Sequence, residues 1–289
     1  MKKTLLLFVV SIFTFGLAPI SAQTNKQENT SLIQSAAQNN LTQVQELITQ
    51  GANVNVKDKY YKTPLHYAAQ NNNLKMVEVL VENGAEIDAK DSNKETPLYT
   101  AVSVQSDKMV KYLASKGANP NPTHKKSIPA LMLAISNGDL NIVETLMQNG
   151  AKADYDTLVM TIGQIDLGLN GREKVLKVLT KYGTDINMIS PKKPYRNVLE
   201  SAIINNDFKV AKMLAKLGAN LEKCNMKEAY LFMVVKDYNN KDLTKLLIQN
   251  GANVNAKNSD GETVLDVARS KDIIKLLRKN GAKRSKNLK

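Results

Sequence analysis

A glycine opens a Gly-Ala or Gly-Thr step at Gly51, Gly84, Gly117, Gly150, Gly183, Gly218, Gly251 and Gly281, at intervals of 33, 33, 33, 33, 35, 33 and 30 residues. Recurrence at a fixed period of this size marks a tandem array. Each copy is too small to bury its own apolar face and folds by stacking on the next. Eight units of about 33 residues take up nearly all of a 289-residue chain, so no second domain of useful size is expected beside them.

The clearest unit runs from Asp58 to Lys90. Thr63-Pro64-Leu65-His66-Tyr67-Ala68-Ala69 reads as a helix start. Thr63 is placed to be the N-cap, and Pro64 falls at the first helical position, where its missing N–H costs nothing. The proline also biases Thr63 toward the extended backbone that an N-cap needs. The alanine pair keeps the helix slim. A polar turn, Gln70 to Asn73, then leads to a second helix carrying Met76, Val77, Leu80 and Val81. The same helical spacing returns in Ile142, Val143, Leu146 and Met147, in Val175, Val178 and Leu179, in Val210, Met213 and Leu214, and in Ile273, Ile274 and Leu277. Gly84 sits where a left-handed residue ends a helix.

The period, the Thr-Pro-Leu-His-x-Ala opening at Thr63, the related Thr96-Pro97-Leu98-Tyr99-Thr100-Ala101 and the endings Gly51-Ala52-Asn53-Val54-Asn55 and Gly251-Ala252-Asn253-Val254-Asn255 resemble ankyrin repeats. The resemblance covers residues 28–283. It implies an all-α repeat solenoid of about eight stacked helix-turn-helix units joined by β-turn or hairpin fingertips. Several units depart from the pattern. The fourth has Pro129-Ala130-Leu131-Met132-Leu133-Ala134 in place of the usual opening; the fifth has a short turn between Gly150 and Thr157 and an insertion around Ile165 to Asn170. The sixth inserts two residues near Pro191 to Tyr195, and the last is short by three.

Before the array, Lys2 and Lys3 precede an apolar run from Leu5 to Ala18, followed by Pro19-Ile20-Ser21-Ala22. This is the order of a cleavable export signal. A run of about 14 residues is short for a bilayer span, which needs roughly 20. The expected organisation is a signal peptide over 1–22, a short linker over 23–27, the solenoid over 28–283 and a basic tail over 284–289. The mature chain is expected to be periplasmic or secreted.

In the ankyrin family, as the resemblance implies, fingertips and first helices form a concave surface that binds other proteins. The matching positions here are Lys59, Tyr60, Tyr61, Lys62, Gln70 and Asn71 in the second unit. Ser92, Asn93, Glu95 and Ser103 in the third and Lys125, Lys126 and Ile128 in the fourth complete the set. Tyr60 and Tyr61 stand out because tyrosine is enriched at the centres of protein interfaces. His66 matches a family position whose imidazole bonds neighbouring turn backbone, a structural role. The expected function is non-enzymatic binding of one protein partner by a monomeric, exported module.

Composition narrows the alternatives. With two His and the single Cys224, a disulfide framework is impossible and a Cys/His metal site is not expected. No Gly-x-Ser-x-Gly and no phosphate-cradling glycine loop occurs, so neither an enzyme nor a cofactor is expected. The formal charge is +13. Lys275, Arg278, Lys279, Lys283, Arg284, Lys286 and Lys289 contribute to it with no acid among them, so the basic character is read as sitting mostly at the C-terminal end. Nucleic-acid binding is not expected, because cations would have to be spread along a groove. The alternative reading is a polyanion or envelope-surface binder that touches acidic surfaces through this tail.

Overall fold

A computed structural model describes residues 20–122, 127–193, 196–222 and 224–288, with the side chains of 20–27 excepted. Most of the expected signal peptide, together with Lys125 and Lys126, lies outside the described residues. Sixteen α-helices alternate between first and second members of eight pairs among the described residues, which contain no strand. The expected hairpin fingertips are accordingly turns, with one antiparallel bridge, Lys257 to Thr263, among them.

The chain forms two compact units. The first, which runs to Ala118 and includes Ser127, holds α1 (Ile20–Ala37), α2 (Leu41–Thr49), α3 (Pro64–Gln70), α4 (Leu74–Glu82), α5 (Pro97–Ser103) and α6 (Asp107–Ser115). The second begins at Asn119 and resumes at Ile128. It holds α7 (Ala130–Asn137), α8 (Leu140–Gln148), α9 (Tyr155–Gly163), α10 (Gly168–Lys181) and α11 (Val198–Ile204). It continues with α12 (Phe208–Lys216), α13 (Lys227–Met233), α14 (Lys241–Gln249), α15 (Val264–Val267) and α16 (Lys271–Lys279). A five-residue π-helical turn, Val234–Tyr238, extends α13.

The periodic glycine is a helix stop. All eight have φ between +82° and +93°. In every pair the N–H of the residue after glycine donates to the carbonyl of a leucine five positions earlier, as in Ala52 to Leu47, Ala85 to Leu80 and Ala282 to Leu277. This is the Schellman closure, with glycine in the left-handed position. It accounts for the glycine, and the leucine keeps step with it because its side chain is buried in every pair.

A second periodic device joins the two helices of a pair. The residue before the second helix's N-cap is left-handed at Asn39, Asn72, Gly138, Asn206 and Asn239. The caps that follow hold first-turn amides: Asn40 accepts from Gln43 N–H, Asn73 from Met76 N–H and Asp207 from Val210 N–H. Asparagine tolerates the left-handed region better than most residues and is a strong N-cap. Sequence reading passed over these Asn-Asn and Asn-Asp doublets as a generic polar turn.

The core lies between the helices of each unit. Leu65, Ala68, Ala69, Met76, Val77 and Leu80 are fully buried in the second pair, as are Val143 and Leu146 in the fourth and Leu199 and Leu214 in the sixth. Burying each large side chain contributes about 1.5–3 kcal/mol before entropy is counted. Val81, Val178 and Ile274, expected in the core stripes, are only half-buried; Leu176 and Ala211 join those stripes instead.

The departures are absorbed locally. Asp154 caps α9 directly after the glycine turn, so the fifth pair has almost no fingertip. The insertion extends its second helix to fourteen residues. The Arg172 guanidinium closes the α9–α10 connection, donating to the carbonyls of Gln164 (2.8 Å) and Ile162 (2.9 Å). In the last pair the missing residues come out of α15, which is four residues long.

Candidate partner-binding surface

Three fingertips share one geometry. In each, the first residue's side-chain Oδ1 accepts from the amides two and four positions on. Asp58 accepts from Tyr60 and Lys62 (both 2.8 Å), Asp91 from Asn93 (2.8 Å) and Glu95 (3.0 Å), and Asn258 from Asp260 (3.0 Å) and Glu262 (2.8 Å). The backbone closes the same loop, for example from Asp58 N–H to Lys62 O at 3.0 Å. This loop turns the fourth residue into the left-handed region: Tyr61 at φ +61°, Lys94 at +62° and Gly261 at +76°.

Glycine occupies that region freely, whereas a residue with a Cβ is strained there by about 1–2 kcal/mol. Tyr61 nonetheless stands in it with 61% of its surface exposed, and Tyr60 beside it is 53% exposed. The Lys59 ammonium lies 4.9 Å from the centre of the Tyr60 ring. Neighbouring tips touch, since Ser92 N–H donates to Tyr60 O at 2.9 Å.

The tip is fixed from below. The second Asp58 oxygen accepts from the Tyr67 hydroxyl at 2.7 Å. Burial alone would raise the Asp58 carboxyl, but hydrogen bonds from Tyr67 and the Lys62 and Tyr60 amides outweigh it and hold the group below its ordinary value. Burial and the same carboxylate push Tyr67 up to about 12. Lys62 Nζ donates to Gln70 Oε1 at 3.2 Å, so the tip and the end of α3 form one polar surface.

His66 is the hub of this region. Its Nδ1 receives the Thr63 N–H (3.2 Å) and hydroxyl (2.9 Å), and its Nε2 meets Glu95 O at 3.1 Å. A carbonyl only accepts, so Nε2 carries the proton and the ring is neutral. Burial keeps it so, pushing the imidazole below its ordinary value. Later pairs reverse the polarity at this position. The buried Glu200 accepts from Tyr230 (3.0 Å) and Cys224 (3.5 Å), and Asp266 accepts from Ser285 N–H (2.9 Å). Burial first, and then the Glu200 carboxylate, push the Cys224 thiol up to about 11, so it stays protonated and unreactive at neutral pH.

The candidate positions divide into two groups. Lys59, Tyr60, Tyr61, Gln70, Ser92, Asn93 and Ser103 are exposed, and Lys62 is half-buried among them. Asn71 is engaged instead in holding the stack, its amide donating to the carbonyls of Ala36 (2.9 Å) and Ala37 (3.3 Å). Glu95 is half-buried: its carboxylate accepts from the Ser127 hydroxyl and its carbonyl meets His66. Ile128 is exposed in the second unit.

Sequence reading missed two features. In four of the glycine endings the fifth residue is an asparagine that staples one repeat to the next. Asn55 donates to Gly84 O (3.0 Å) and accepts from Glu86 N–H (2.7 Å), and Asn121, Asn187 and Asn255 repeat both bonds. The second is apolar. Val159, Ile162 and Ile165, the last 80% exposed, line an open cleft of about 360 Å³ with Arg172, Ser201 and Asn205. The signal for it was the apolar content of the fifth unit's insertion. Among the described residues no group of three or more His, Cys, Asp or Glu is placed to hold a metal ion.

A family model described as ankyrin repeats (3 copies) matches residues 11–91, 32–124, 87–158 and 199–287. Comparison with curated proteins gives no match.

Proposed function

The chain belongs to the ankyrin repeat family, and from that premise we propose that it is an exported, non-catalytic, monomeric module that holds a protein partner on its fingertips and first helices, with Tyr60 and Tyr61 at the centre of the contact. Ankyrin repeats are protein–protein interaction modules. The observation that carries the finer reading is Tyr61: a strained residue with an exposed ring, where the equivalent tip of the last pair has glycine. Strain of this kind clusters at functional sites, and of the two strained tips, at Tyr61 and Lys94, only Tyr61 presents an aromatic ring. Two tyrosines beside Lys59 offer rigid amphipathic area at low entropic cost, and such residues dominate interface energetics. The Asp58 loop and the Tyr67 contact hold the backbone that carries both rings in place before a partner arrives, which lowers the cost of binding. Export is supported by the charged, apolar and small-residue order of residues 2–22.

The test is a binding titration between the mature chain and the protein that it captures from its native source. Tyr60→Ala combined with Tyr61→Ala is expected to weaken binding at least about 30-fold, or 2 kcal/mol. Full affinity in the double variant would remove the proposed centre.

The reading through the basic tail has narrower support. Thr263 hydroxyl donates to Lys283 O (2.8 Å), Ser285 N–H donates to Asp266 (2.9 Å) and Arg284 lies 3.8 Å from the same carboxylate. Residues 283–285 are thus laid against the last pair. Lys275, Arg278 and Lys279 are residues of α16.

A further inference from the structure

Four second helices of the second unit, α10, α12, α14 and α16, together carry an excess of cations that those of the first unit lack, with Glu173, Asp242 and Asp272 the acids among them; the fifth, α8, has no cation. In the first unit, α2, α4 and α6 mix Lys75, Lys108 and Lys111 with Glu46, Glu78, Glu82 and Asp107. In the second, Lys174, Lys177 and Lys181 of α10 and Lys209, Lys212 and Lys216 of α12 recur at i, i+3 and i+7. In α14 and α16 the first position of that stripe is an exposed acid, Asp242 or Asp272, and Lys245, Lys275 and Lys279 continue it, flanked by Lys241, Lys271 and Arg278. All twelve cations are exposed. Three of them, Lys177, Lys181 and Lys241, reach a carboxylate, and the other nine have no ion pair among the described residues.

These helices pack in order, α10 on α12, α12 on α14 and α14 on α16. At the usual spacing of about 8–10 Å between packed helices, the stripes merge into a two-dimensional basic array. Leu169, 39% exposed, and Phe208 sit within it, beside a shallow cleft of about 340 Å³ lined also by Lys209, Lys212, Lys216 and one acid, Glu173, which pairs with Lys177. The Lys212 ammonium lies 5.7 Å from the Phe208 ring centre.

We propose that the face formed by α10, α12, α14 and α16 docks on an anionic lipid surface. Three features favour a lipid sheet over nucleic acid. The cations cover an area and do not track a groove. All but Arg278 are lysines, point charges that suit a diffuse anionic plane and cannot make the bidentate contacts that read bases. The aromatic rings beside these cations, Phe208 and Tyr182, are half-buried and each is covered by a lysine, Lys212 or Lys181, which leaves no open platform on which bases could stack. Each lysine close to an anionic leaflet contributes about 1 kcal/mol, and the attraction decays within a Debye length, so an array on a single face acts together. Leu169 is placed to enter the headgroup layer.

The test is co-sedimentation of the mature chain with phosphatidylglycerol-containing vesicles and with pure phosphatidylcholine vesicles. Binding is expected to the anionic vesicles only and to weaken with added salt. Lys209→Gln, Lys212→Gln and Lys216→Gln together should reduce it roughly 100-fold with the thermal melt unchanged. Lys75→Gln, Lys108→Gln and Lys111→Gln together should leave it intact, and Lys286→Gln with Lys289→Gln should cost far less than the α12 triple. Equal binding to neutral vesicles, full binding by the α12 triple, or loss in the tail variant alone would overturn the proposal. So would tighter binding to duplex or single-stranded DNA than to anionic vesicles. Tyr60→Ala with Tyr61→Ala should not alter vesicle binding, which separates this face from the proposed protein contact.

Discussion

Tyr61 and Gly261 occupy the same left-handed corner of the same fingertip loop, yet only one has a Cβ to strain. Tyr61→Gly should therefore stabilise the fold by about 0.5–1 kcal/mol, part of the relieved strain being offset by the greater freedom of glycine in the unfolded chain. Urea unfolding measures it, and a loss of stability would show that the ring makes internal contacts worth more than the strain. His66 gives a pH dependence. Its folded value lies below the ordinary 6.5 because burial disfavours the cation. The unfolded chain thus binds the proton more readily, and the stabilising contribution is complete above the unfolded value and is lost as pH falls from there toward the folded one. Stability should decline as pH drops below about 6.5, and His66→Gln should flatten that part of the profile; an unchanged slope would contradict the neutral ring. At this scale the sequence was legible where a residue acts on its own backbone, as at Thr63, Pro64 and Gly84. It was not legible for Asn71 and Glu95, whose partners lie 29 or more residues away.

Among the elements, the fifth pair is the outlier. Its fingertip is almost absent, and the long connection to α10 is held by the two Arg172 bonds and by the Gln164 amide, which donates to Ser136. Local opening follows the number of supporting contacts. Amide exchange should be faster over 155–172 than over 63–81, and Arg172→Ala should accelerate it further and cost about 1.5–3 kcal/mol. Equal protection of the two stretches would contradict this account. The short turn and the insertion were both visible in the Gly150 to Asn170 spacing. The means of closure was not, because one long side chain satisfying two carbonyls leaves no periodic trace. The Asn39-Asn40, Asn72-Asn73 and Asn206-Asp207 doublets were visible too, but their meaning required the left-handed geometry that the structure supplies.

For the whole chain, the period alone carried the fold class, because a left-handed glycine and a buried leucine recur together wherever the same helix stop closes a packed pair. The basic array was hidden for a related reason: cations at i, i+3 and i+7 on separate helices become one face only when those helices stack. A count along the sequence therefore assigned the charge to the C-terminal end. The partner's identity is likewise not written in the period, since fingertip residues vary without affecting the stack. The most direct measurement of the central claim is site-specific photo-crosslinking in the native host, with the probe placed in turn at Tyr60, Asn93, Lys75 and Lys108. Adducts to one protein from Tyr60 and Asn93, and none from the α4 and α6 positions, are the predicted result. Adducts confined to Lys75 and Lys108 would contradict it.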